Sequence, residues 1–172
     1  MTGAIPVFLT PTRNHLGIIG PIPLEEFRPE NIQKKIDANP FAGRARSRKP
    51  RILTITQSTY DGVLYNVEML KETLNSSIDT LHFDEAWLPH ATVHDFYKNM
   101  HAIGGDRPRP KDPLIFATHS THKLLAGISQ ASQILVQESQ TRKLDRHMFN
   151  EAYLIDRKST RLNSSHTDIS RM

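Results

Sequence analysis

The sequence predicts an α/β fold: a mainly parallel sheet with flanking helices. Three observations predict it. Short apolar or β-branched runs recur at 51–56, 78–83, 114–117 and 132–136. A polar turn and then a helical pattern follow each of the first three, the alternation expected of βαβ units. The 172 residues, 37% of them hydrophobic, suffice for one domain with a real core.

Taken in order, 5–9 is an apolar run stopped by Pro11 and reads as a buried strand. Residues 10–23 hold three prolines and two glycines and form a loop carrying Arg13, Asn14 and His15, a usual place for binding groups. Residues 29–37 read as a short helix, with Pro29 at its first position and Ile32 and Ile36 four apart; Pro40 ends it. Arg44, Arg46, Arg48 and Lys49 follow. With no interleaved aromatics and no nucleic-acid module, that run reads as a solvated loop, and no nucleic-acid partner is expected. After the strand 51–56, residues 57–62 turn, Thr59 offers an N-cap, and 63–74 is a helical pattern with Val67, Leu70 and Leu74 on one side. The next pairs are strand 78–83 with helix 90–101, then strand 114–117 with helix 123–129. A proline- and glycine-rich link at 104–113 separates them; strand 132–136 and helix 146–155 close the series.

Two strand ends carry the chemistry, because ligands of open α/β sheets sit beyond the carboxyl ends of the strands. One end offers a carboxylate, Asp84, in Asp84-Glu85-Ala86-Trp87; the other offers Ser120-Thr121-His122-Lys123. Pyridoxal phosphate needs such a set: a lysine for a Schiff base and an acid facing the pyridine nitrogen. An aspartate beside that nitrogen favours its protonated form. Ser120 and His122 can donate to phosphate oxygens.

Those two motifs together resemble the major domain of the bacterial ornithine/lysine/arginine decarboxylases, fold-type I pyridoxal-phosphate enzymes. Pro11-Thr12-Arg13-Asn14 with Gly17-Ile18-Ile19-Gly20-Pro21, Ser58-Thr59-Tyr60-Asp61-Gly62 and Phe149-Asn150-Glu151-Ala152-Tyr153 extend the resemblance over 2–155. It implies a decarboxylase acting on arginine, lysine or ornithine. Lys123 would hold the cofactor covalently, Asp84 would pair with the ring nitrogen, and Ala86 and Trp87 would lie against cofactor and substrate. Ser120 and His122 would bind phosphate, and His122 could also assist proton transfer. It further implies a homo-oligomer, a dimer or higher, and a fragment of the large domain, inactive alone. The runners-up are another fold-type I enzyme such as an aminotransferase, and a catalytically inactive truncated module.

Other readings are weaker. His90 and His94 are four apart, but position 91 is Ala where a zinc protease needs Glu, so no metal is expected. Ser120, His122 and Asp84 lack a nucleophile elbow, since Thr118 and His122 stand where its glycines belong. No membrane-length apolar run, no leader pattern and no cysteine point to a cytoplasmic protein with no membrane partner. The stretch 156–166 reads as the conceptual translation of a common sequencing-library adapter, with 167–172 continuing through its index. The domain is therefore expected over 1–155, and 156–172 as an artefactual or disordered tail. Four basic and two acidic residues there account for half of the formal net charge of +4.

Overall fold

The computed structural model describes residues 3–104 and 108–159. Of the adapter-like stretch, only 156–159 fall among them, at the end of a helix; the rest lies outside the described residues. Four strands form one sheet: β1 (Leu53–Thr56), β2 (Thr80–Asp84), β3 (Leu114–His119) and β4 (Gln133–Gln137), side by side in that order. The first three run parallel and β4 pairs with β3 antiparallel. Only thirteen residues join β3 to β4, and they contain a single helical turn, α3 (Thr121–Leu124), so the chain doubles back without a full crossover helix.

Alternation along the strands gives the sheet two unlike faces. Ile55, Leu81, Phe83, Ile115 and Ala117 point into the core. Over them pack α2 (Val67–Leu74), through Val67, Leu70 and Leu74, and α1 (Pro29–Ala38), through Ile32 and Ile36. The other face carries Thr54, Thr56, His82, Asp84 and Thr118, all exposed or half-buried. The last helix, α4 (Arg146–Ser159), reaches that side, where Phe149 meets Phe116 with ring centroids 6.1 Å apart.

Four sequence expectations fail, each for a local physical reason. Residues 5–9 form no strand: prolines at 6 and 11 supply no ladder donor, Phe8 is 79% exposed, and only Val7 and Leu9 touch the core. The helix expected from Val63 starts at Val67, capped by Asn66, whose Oδ1 accepts from Met69 N at 3.1 Å. The buried Gln57 side chain takes both backbone groups of Tyr65, which therefore cannot join the helix ladder. Thr59 instead closes the preceding turn, its Oγ1 accepting from Val63 N. In place of a helix over 90–101 there are two 3-10 segments, Pro89–Val93 and Asp95–Tyr97. Their continuation is engaged elsewhere: Asn99 O accepts from Val67 N, and Met100 O accepts from Gln57 Nε2. The helix expected over 123–129 stops after α3 because the chain folds back at Gly127, where a Cβ would lie 3.1 Å from the Thr121 carbonyl oxygen.

Phe83 is completely buried at the centre of the sheet. In a soluble preparation of the chain, Phe83→Ala should lower unfolding stability by about 3–5 kcal/mol, measured by urea unfolding. An unchanged midpoint would show that the core does not centre there.

Candidate active site

The site is built at the carboxyl ends of β2 and β3. Asp84 ends β2 and lies in register between Thr56 of β1 and Thr118 of β3. Its Oδ1 accepts from Ala86 N at 3.2 Å, which fixes the carboxylate at the mouth of the strand. Trp87 follows, its ring edge-on to Tyr60 with centroids 4.9 Å apart. From β3, Ser120 leads into α3, where its side chain makes no capping hydrogen bond. Lys123, half-buried on that turn, brings Nζ to 5.3 Å from the centroid of the Trp87 ring. Asp84, Ala86, Trp87, Ser120 and Lys123 thus gather on two adjacent strand ends. His122 stands apart from them in one respect: its Nδ1 is 2.7 Å from the Ala131 carbonyl, so only Nε2 remains for a ligand.

The donor set fits pyridoxal phosphate. An amine, a carboxylate, a hydroxyl and an imidazole nitrogen stand at adjacent strand ends and on the turn after them, and the buried Trp87 Nε1, in the ring beneath Lys123 Nζ, has no partner among the described residues. A buried donor left unpaired costs about 1–3 kcal/mol, so an acceptor arriving beside Lys123 would be stabilised there. No three histidine or acidic side chains gather as a metal site among the described residues. His90 and His94 both pack edge-on against Tyr97. The basic run lies elsewhere. Arg46, Arg48 and Lys49 line an open cleft of about 500 Å³ that Pro50 and Ser77 place at the amino edge of the sheet, opposite the site. Lys49 is paired there with Asp79 at 3.7 Å and Asp112 at 3.5 Å.

The family profile for the major domain of Orn/Lys/Arg decarboxylases matches residues 1–163. The chain belongs to that family. Over 155 residues it is 55% identical to the lysine decarboxylase LdcA of Pseudomonas aeruginosa and 43% identical to the biodegradative arginine decarboxylase of Escherichia coli. Each alignment covers 90% of this chain and 20% of the relative. The solved structure of lysine decarboxylase A from Pseudomonas aeruginosa superposes with a TM-score of 0.80 at 55% identity, over 90% of this chain and 20% of that one. The chain therefore spans about a fifth of the length of the decarboxylases it matches.

Within this segment, sequence reasoning missed the groups behind the site. Glu85 and His119 are buried against each other, and Gln57 is buried with three hydrogen bonds from its side chain. A signal for His119 existed: by alternation from Ile115 and Ala117 it must face the core, where a polar ring needs a partner. His82 was also missed. It spans three strands on the Asp84 face, between Thr54 Oγ1 at 3.3 Å and Thr118 Oγ1 at 3.2 Å.

Burial holds the His82 imidazole below its ordinary value, while nearby Asp84 pulls the other way. The folded chain thus favours the neutral ring. Its contribution to stability is complete above the ordinary histidine value of about 6.5 and is lost as pH falls from there through the lowered folded value. Urea midpoints should drop as pH falls below about 6.5, and His82→Gln should reduce that drop. An equal drop in both proteins would remove His82 from the pH response.

Proposed function

We propose that this segment supplies the cofactor-holding centre of a pyridoxal-phosphate-dependent decarboxylase, which converts arginine, lysine or ornithine to the corresponding amine and carbon dioxide. The observation that carries the reading is the Lys123 amine over Trp87, at a strand end adjacent to that of Asp84, in a chain of this family. When bound, the cofactor supplies the electron sink that accepts the pair left behind by the departing carboxylate. Lys123 Nζ is the covalent anchor. Asp84 holds positive charge at the ring nitrogen, since an opposite charge at close range favours the charged form. Ser120 Oγ and His122 Nε2 donate to the phosphate. Ala86 and the Trp87–Tyr60 pair shield the ring and the lysine amine from water, and Trp87 Nε1 is a free donor for an anionic oxygen.

Relatives named for lysine, arginine and ornithine all match this same stretch. That supports assigning the shared step to these residues and the choice among the three amino acids to other parts of the protein. The reading includes a cytoplasmic homo-oligomer; among the described residues no helix is long and apolar enough to cross a membrane. The isolated 172-residue chain binds the cofactor weakly and does not turn over, because Asp84 is only half-buried there.

In a full-length decarboxylase carrying this segment, Lys123→Ala should abolish the visible absorption band of the bound cofactor; a persisting band would refute the anchor. Asp84→Asn should leave the cofactor bound and slow amine release by orders of magnitude, and near-normal turnover would remove Asp84 from the mechanism. Amine production by the isolated chain would contradict its proposed inactivity.

A further inference from the structure

Behind Asp84 and Ser120 the two strand ends are joined a second time, by side chains. Glu85 follows Asp84 and turns to the core face, where it is 1% exposed; His119, just before Ser120, is 4% exposed. His119 Nε2 donates to Glu85 Oε2 at 2.7 Å, and the backbone N–H of Ala102 donates to Glu85 Oε1. Both carboxylate oxygens are therefore occupied, one by β3 and one by the loop at 100–102. Gln57, at the end of β1, holds the same loop through the Met100 carbonyl at 2.7 Å. Three parallel strand ends are thus tied together beneath the site.

Neither Glu85 nor His119 has a role in the chemistry assigned above, and both face away from the side that carries Asp84. Apolar residues could fill their space without the desolvation that a buried carboxylate and imidazole incur. What a hydrogen-bonded pair adds is a fixed length and direction, where apolar contacts can slide. We propose that the Glu85–His119 pair is a positioning clamp, setting the separation between Asp84 and the turn that bears Lys123 so that both meet one ring. The clamp rests on the pyridoxal-phosphate reading.

The test uses a full-length decarboxylase carrying this segment, with Glu85→Gln, His119→Leu and His119→Gln. A glutamine at 119 can still donate to Glu85, so it is the rescue. A glutamine at 85 keeps one acceptor oxygen, for Ala102 N–H, and can meet His119 only through its own N–H and the other imidazole tautomer, so the bond from His119 to a carboxylate is lost. Four quantities are read: the Kd for pyridoxal phosphate by absorption titration, the melting temperature of the cofactor-free protein, kcat, and KM. H119L and E85Q should weaken cofactor binding about tenfold. They should also lower kcat about a hundredfold at unchanged KM, as misplaced reacting groups do. H119Q should restore both to within about threefold of the parent, well inside the tenfold loss expected of a broken bond. If H119L does not fold, E85Q against H119Q carries the comparison. Variants that melt earlier yet keep the parental Kd and kcat would show a purely structural pair and overturn the clamp, as would an H119Q as impaired as E85Q. A parent that binds no cofactor would refute the pyridoxal-phosphate reading itself, and the clamp with it.

Discussion

The register between β2 and β3 is the constraint on which the site depends. Asp84 and Thr118 are partners across a parallel pair, and the next backbone bond, Glu85 N to Thr118 O at 2.9 Å, continues it. A slip of one residue would send Asp84 into the core and bring Phe83 to the open face, so burial of one face specifies the pairing strongly. The buried Glu85–His119 contact adds to that specification. Leaving a buried hydrogen-bonding group without its partner costs about 1–3 kcal/mol, more when the group is charged. That is a large share of the roughly 5–15 kcal/mol that holds a domain folded.

From this register follows a division of labour between the two faces. The core face keeps the strands aligned through Leu81, Phe83, Ile115 and Ala117, with Gln57, Glu85 and His119 as its polar ties at the carboxyl edge. The other face holds threonines, His82 and Asp84, exposed or half-buried. On the proposed reading, groups that meet the ligand stand on one side, and the groups that position them stand on the other. The lysine arrives from neither face but from the turn that caps β3, which lets its amine reach over Trp87.

Much of this was legible in the sequence. The strands were legible as short apolar or β-branched runs, such as 114–117 for β3, which the structure extends to His119. The placement of Asp84 and Lys123 beyond adjacent strand ends was legible because each follows a short apolar run in the sequence. The helices at 90–101 and 123–129 were not, because tertiary partners override local propensity. Backbone groups at 99–102 are taken by Val67, Gln57, Glu85 and Lys71, and Gly127 passes too close to Thr121 for a helix to continue. The delayed start of α2 has the same origin, since nothing near Tyr65 in sequence announces that Gln57 will bind both of its backbone groups. Such contacts join residues distant in sequence and leave no periodic trace.

The central claim is that Asp84 and Lys123 serve opposite ends of one flat ring. An experimental structure of a full-length decarboxylase carrying this segment, determined with pyridoxal phosphate bound, tests it directly. The account predicts the Asp84 carboxylate within hydrogen-bond distance of the ring nitrogen and Lys123 Nζ bonded to the aldehyde carbon of the same molecule. A cofactor anchored to another lysine, or a ring nitrogen that faces any group other than Asp84, would contradict it.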